Sequence, residues 1–226
     1  MSFIQVGDSI NGNTFPDKFG NAVAISKDGT VIATGAYLGI DSNGNKRGYV
    51  RLYKNNSGTW SQIGSDIYGE NVDDRFGYNV SLSDDGSIVA ISAPKNIGDG
   101  RGGGHVRVFK NNSGNWTQIG SDIDGNNMND HGGAVNITSI VLSGDGTHVA
   151  VGTPYNNYWT MNNRYRGEVR IYKNENGNWN KVGEDIHGEA GGTTSGDYSG
   201  KSIAISKDGS IIAIGAPGND EKGNNR

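Results

Sequence analysis

The sequence predicts an all-β fold: a β-propeller of four-stranded antiparallel blades, about four blade-equivalents long, with the last blade incomplete. Three observations lead there. A unit of several tens of residues recurs along the whole chain. Inside each unit, short apolar-polar alternations are separated by Gly-bearing turns. The composition agrees, since 38 of 226 residues are Gly, only 4 are Pro, and hydrophobic residues make up 33%. Such a balance suits many short strands joined by polar turns, and the regular placement of the glycines argues against disorder.

The second unit reads FGYNVSLSDDGSIVAISAP, then a loop, then GHVRVFKNNSGNWTQIGSDI. Upstream, FGNAVAISKDGTVIATGAY is followed by GYVRLYKNNSGTWSQIGSDI. Downstream stand SIVLSGDGTHVAVGTP with GEVRIYKNENGNWNKVGEDI, and finally SGKSIAISKDGSIIAIGAP. The repeats span roughly 19–67, 76–123, 136–186 and 199–226 of one domain, 1–226. Residues 3–10 resemble the end of a unit and are expected to act as a closing strand for the last blade.

Each full unit gives four strands, A to D, in an up-and-down meander. In the first unit, strand A places Val23 and Ile25 on one face, and Lys27-Asp28-Gly29-Thr30 turns it into B. Asp-Gly between two apolar runs is a hairpin signal, because glycine accepts the backbone that a tight turn requires. Strand C alternates Val50 and Leu52 with Arg51 and Tyr53, and Asn55-Asn56-Ser57-Gly58 returns the chain as a D strand over 60–67. About fifteen short strands and no helix beyond a turn are expected in all.

Spacing separates scaffold from variable parts. The glycine that opens strand C precedes the tryptophan of strand D by twelve residues each time: Gly48 to Trp60, Gly104 to Trp116, Gly167 to Trp179. The interval from turn glycine to strand-C glycine varies instead, being 19, 18 and 21 residues. The D–A interval varies too, nine residues before the first two units and thirteen before the last two. In a four-stranded meander the B–C and D–A loops share one edge. All length variation therefore falls on one face, and loops on a rigid scaffold are where binding concentrates.

The A- and B-strand residues carry a family resemblance. Phe19-Gly20 and Phe76-Gly77, with Gly35-Ala36, Ala93-Pro94, Thr153-Pro154 and Gly215-Ala216-Pro217, resemble the FG-GAP repeat of the integrin α-chain N-terminal propeller. The fuller pattern looks like an FG-GAP-like group common in marine microbes and their viruses. The resemblance implies a recognition or structural propeller working outside the cell or on a virion surface. Asn136-Ile137 and Ser199-Gly200 depart from it in the third and fourth units. The A–B turns are also too short for the calcium loop that integrin-type repeats often carry there.

Several chemistries are excluded or disfavoured. A net charge of −4 with no basic stripe gives no footprint for nucleic acid. The chain has no cysteine, so no disulfide or thiolate site exists. Its first residues show no secretory signal, and no apolar run reaches membrane-spanning length, so no membrane insertion is expected. No nucleophile elbow, phosphate loop, zinc-protease or dinucleotide motif occurs, and neither cofactor nor metal is expected. Asp41-Ser42-Asn43-Gly44-Asn45 has ligand-like spacing, but reads more simply as an Asn-Gly turn. His105, His131, His148 and His187 fall at unrelated repeat positions with no ligand pair among them. The recurring Asp8, Asp66, Asp122 and Asp185, with Arg51, Arg107 and Arg170, read as ion pairs between strands C and D. The three tryptophans read as packing anchors between units.

The third B–C loop stands apart, being the longest and most aromatic. Its Tyr155, Tyr158, Trp159, Arg164, Tyr165 and Arg166 are candidate ligand-binding residues, joined by His131 in the four-residue insertion that precedes the third unit. The rings either pack over the rim or present faces for stacking, with Arg and Asn donors to orient a ligand. The expected function is non-catalytic binding of glycan or protein through this face. An enzyme with a site in the central channel and a purely architectural spacer are the alternatives. The unfinished last blade implies either pairing with another copy or membership of a longer repeat chain.

Overall fold

The computed structural model describes residues 2–97, 103–125, 137–155, 165–189 and 196–219. Their regular structure is entirely β, sixteen strands and no helix. The first sheet holds β1 (Phe19–Ile25), β2 (Val31–Ala36), β3 (Tyr49–Asn56), β4 (Thr59–Gln62) and β5 (Ile67–Tyr68). The second holds β6 (Val80–Leu82), β7 (Ile88–Ala93), β8 (His105–Asn112), β9 (Asn115–Gln118) and β10 (Ile123–Asp124). The third holds β11 (Ser139–Leu142), β12 (His148–Gly152), β13 (Glu168–Glu175) and β14 (Asn178–His187), and the fourth β15 (Ser202–Ile205) and β16 (Ile212–Gly215). All pairings are antiparallel and each sheet follows the meander order, with β5 returning to pair β3 and β10 to pair β8.

The A–B turns show why Ser-x-Asp-Gly-Ser/Thr recurs. Asp28 accepts from the Ser26 hydroxyl at 2.6 Å and from the Thr30 amide at 3.0 Å. The Ser26 oxygen in turn accepts from the Val31 amide at 2.9 Å. The same closed loop of bonds joins Ser83, Asp85 and Ser87, then Ser143, Asp145 and Thr147, then Ser206, Asp208 and Ser210. A carboxylate so supplied with donors stays ionised. Mainly through the Ser26 hydroxyl, the Asp28 carboxyl is held down at about 2, and the Ser206 hydroxyl does the same for Asp208.

Strand D departs from expectation. In the first two sheets it is broken, β4 from β5 and β9 from β10, where one continuous strand was expected. The break lies where the Ile63 carbonyl turns away from its own sheet to accept from Trp116 Nε1 of the next unit, at 2.9 Å. Ile119 likewise accepts from Trp179 Nε1 at 2.8 Å. The tryptophans thus join successive units, as their spacing suggested.

The core lies between sheets. One cluster packs Val50, Leu52 and Ile67 of the first unit against Phe76, Val89, Ile91 and Phe109 of the second. Another packs Val106, Val108 and Ile123 of the second against Ile137, Leu142, Val149 and Val151 of the third. Phe76 is fully buried and meets Phe109 edge-on at 6.3 Å. Burying a ring of that size contributes about 1.5–3 kcal/mol.

Residues 3–10 form no strand and do not pair with β15 or β16. They run beside the first sheet, where Val6 accepts from Trp60 Nε1 at 2.9 Å. Val6 therefore stands where Ile63 and Ile119 stand for the later tryptophans. This register puts Asp8 level with Ser65, one place short of Asp66, and removes it from the repeating aspartates.

Candidate functional site

The B–C and D–A loops do share one edge, and backbone bonds fasten them to each other. Gly69 N donates to Gly48 O at 3.1 Å and Phe76 N to Arg47 O at 3.2 Å. In the third unit, Gly188 N donates to Gly167 O at 3.1 Å, and Tyr198 N to Tyr165 O at 2.9 Å. Each B–C loop is thereby tied to the D–A segment leading into the following unit. A buried aspartate two residues ahead of strand A secures the same edge. Asp17 accepts from the Asn13 and Phe19 amides, each at 3.0 Å, and from the Tyr49 hydroxyl at 2.9 Å. Asp74 accepts from Asn96 Nδ2 at 2.8 Å and Asp197 from Asn219 Nδ2 at 3.3 Å.

On this edge, between the third and fourth units, three tyrosines converge. Tyr165 and Tyr198 stack with ring centroids 5.5 Å apart and planes 15° from parallel. Tyr155 meets both edge-on, at 6.1 Å and 5.8 Å, and is 37% exposed. The Lys201 ammonium donates to the Tyr155 hydroxyl at 3.0 Å and lies 5.1 Å from its ring centre. A smaller cluster occupies the same edge between the first two units. There Tyr37 and Tyr78 meet edge-on at 5.4 Å, with the Arg75 guanidinium 6.0 Å from the Tyr37 ring. Both clusters combine exposed ring surface with a cation and phenolic hydroxyls, which suits a ligand having both apolar C–H faces and hydroxyl groups.

Beneath the edge runs a layer of ion pairs. Arg51 binds Asp66 through two nitrogens, Nε and Nη2, each 2.6 Å from a carboxylate oxygen, with both side chains 10% exposed. The second unit differs, with Arg107 Nε 2.8 Å from Gln118 Oε1 and 3.6 Å from Asp122. In the third, Arg170 Nε lies 2.7 Å from Glu168, while Asp185 takes Lys181 at 2.5 Å. The expected C–D pair is therefore complete in the first unit and rearranged in the third. The rearrangement follows from Glu168, a buried carboxylate two residues from Arg170 on the same strand. Burial pushes the Glu168 carboxyl up, against the pull of Arg170.

His105 and His187 stand in different sheets, His105 opposite Asp124 and His187 opposite Glu168. His105 Nδ1 lies 3.0 Å from Asp122, and His187 Nδ1 lies 3.6 Å from Glu168. Ligand atoms of Glu70, His105 and Asp122 lie within 4.8 Å of one another, as do those of Glu168, Asp185 and His187. These two groups could hold a metal by residue type. A guanidinium already sits against the carboxylates of each, so the countercharge is supplied by Arg107 and Arg170. At Asp41, the carboxylate is taken up by the Asn43 and Asn45 amides, both at 2.9 Å, and by Arg47 Nε at 3.0 Å.

Of the candidates named from the sequence, the structure brings Tyr155 and Tyr165 together in the tyrosine cluster. Arg166 braces the loop by donating to the Gly188 carbonyl. Tyr158, Trp159, Arg164 and His131 lie outside the described residues. Tyr198 and Lys201 were missed. Nothing in their own unit marks them, and only the tie between one unit's B–C loop and the next unit's start places them in the cluster.

No family model matches the chain, and no curated protein matches it. Its fold is shared with solved structures of low sequence identity. A "putative 6-phosphogluconolactonase" from Bacteroides uniformis ATCC 8492 superposes with a TM-score of 0.51 at 17% identity, covering 85% of this chain and 46% of that one. Kuenenia stuttgartiensis hydrazine synthase gives 0.51 at 17% identity, covering 87% and 49%. The chain thus spans about half the length of either structure. Both have propeller-like folds, and the chain is an all-β protein of propeller-like fold.

Proposed function

We propose that the chain is a non-catalytic recognition module that binds glycan through its loop edge, with its four sheets acting as successive propeller blades of FG-GAP-like type. The tyrosine cluster carries the reading: Tyr165 stacked on Tyr198, Tyr155 set against both, and Lys201 at the Tyr155 hydroxyl. Aromatic faces stack on the C–H faces of sugar rings, while phenol and ammonium groups orient sugar hydroxyls. Support also comes from the carboxylates beneath the edge, where Asp66, Asp122 and Glu168 are each engaged by an arginine of strand C. A module of this kind acts on a cell or virion surface.

A glycan array probed with the purified chain, followed by calorimetry on the retained glycan, tests the reading. Tyr155→Ala is expected to weaken binding by about 1 kcal/mol, roughly fivefold, with little change in melting temperature. Retention of no glycan would refute it. Hydrolysis of a retained glycan would favour an enzyme instead.

A further inference from the structure

The three junctions between successive units repeat one set of contacts, and each end of the series presents half of that set unfilled. Strand A of each later unit packs on strands A and B of the unit before: β6 on β1 and β2, β11 on β6 and β7, β15 on β11 and β12. Val80 and Leu82 pack in this way against the first core cluster, and Leu142 and Ile140 belong to the second. Their counterparts on β1, Val23 and Ile25, are 72% and 62% exposed. The turn glycines behave alike. A methyl group on Gly86 would strike Val31, one on Gly146 would strike Ile88, and one on Gly209 would strike His148. At Gly29 it would approach only Ile25 of its own unit, at 4.0 Å. At the opposite end Ile211, the counterpart of Val31, is 70% exposed. Backbone bonds across the turns show the same polarity: Lys27 N to Asp84 O at 2.9 Å, Asp84 N to Gly144 O at 2.7 Å, Asp145 N to Lys207 O at 2.9 Å.

We infer that the flank bearing Ile211 docks on the flank bearing Val23, Ile25 and Gly29 of a second copy of this chain, head to tail, by the contact already made three times within one chain. The first unit's β1 would then lie on β15 and β16 of its neighbour. Residues 3–10 gain a role in the same step. They hold the place toward Trp60 that Ile63 holds toward Trp116, so they travel with the first unit and lie at the same junction. Such a junction is heterologous, and it closes into a ring or continues as a filament according to the angle between units. It also covers apolar sheet surface that proteins otherwise shield. None of this depends on the ligand of the tyrosine cluster.

Light scattering on the chromatographed chain, at tens of micromolar, is expected to give a mass of two or more chains of 23.9 kDa each. Val23→Lys blocks one flank and Ile211→Lys the other. Each variant alone should be monomeric, with an unchanged β-type circular dichroism spectrum. Mixed together, they should restore a 1:1 pair, because the intact flank of one meets the intact flank of the other. A monomeric wild-type chain would overturn the inference whatever the variants do. So would assembly that survives Ile211→Lys alone, which would mean that two first-unit flanks pair symmetrically.

Discussion

Replacing Gly48 by alanine tests whether the loop edge is held by backbone contact between units. Gly48 has φ +78, and a methyl group there would lie 2.1 Å from Phe76 O and 2.9 Å from Phe76 N. The obstacle is backbone, so no rotamer change relieves it, and Phe76 must retreat by roughly 1 Å to reach an ordinary contact. That retreat breaks the Phe76 N to Arg47 O bond and strains the Gly69 N to Gly48 O bond. It also loosens a ring that is fully buried between the first two sheets. Gly44 supplies the control, with φ +82 and nothing within 4 Å of the added methyl. Gly44→Ala should cost about 1 kcal/mol: about 1–2 for the left-handed backbone, partly offset by the stiffer unfolded chain. Gly48→Ala carries the same term plus two weakened hydrogen bonds at about 1 kcal/mol each and some lost packing, in total about 3–4 kcal/mol. Urea unfolding followed by far-ultraviolet circular dichroism measures both, and equal slopes make the midpoints comparable. If the two variants fall within about 1 kcal/mol of each other, the contact between Gly48 and Phe76 does not hold the edge.

Two further perturbations separate the ion-pair layer from the turns. Arg51→Met leaves Asp66 charged and poorly solvated, and should cost about 3 kcal/mol in thermal or urea unfolding. Adding Asp66→Leu should recover most of that loss, and failure to recover it would show that Arg51 acts through packing alone. The turn carboxylates govern behaviour in acid. Asp28 and Asp208 titrate at about 2 in the folded chain, below the ordinary 3.8, so the unfolded chain binds their protons more tightly. Their contribution is therefore full above about pH 4 and is lost as pH falls through about 2. Asp28→Asn with Asp208→Asn should flatten the melting temperature's dependence on pH across that window, while leaving a steeper fall in the wild type.

What was legible in the sequence is what repeats within a unit. Strand order, the Asp-Gly turns and the shared loop edge all follow from short-range spacing, because each hairpin is fixed by residues close in sequence. Contacts between units were legible only where both partners recur, as with Trp116 and the Ile63 carbonyl. The break in strand D was hidden because it comes from that inter-unit bond and not from any break in the alternation. Asp17, Asp74 and Asp197 could have been found, since each stands two residues before the start of a unit. Their recurrence is masked by the absence of an equivalent aspartate before the third unit. The carboxylate partners of the histidines were hidden in the same way, because only the folded strands bring His105 to Asp122 and His187 to Glu168.

The loop edge can vary because much of its fastening is made by main chain. Gly69 to Gly48 and Gly188 to Gly167 are amide-to-carbonyl bonds that tolerate many side chains nearby. The sheets complete their cores below that edge with Phe76, Ile91, Val106 and Val149, none of which comes from a B–C loop. Tyr155, Tyr165 and Tyr198 therefore do not fill a gap that every unit must fill. The equivalent edge between the first two units holds Tyr37, Tyr78 and Arg75, where Arg75 stands at the repeat position of Tyr198 and Tyr78 at that of Lys201. At those two positions ring and cation have exchanged places, which a fixed packing requirement does not produce. A surface that keeps a ring and a cation in either order is what the proposed recognition role requires of this edge.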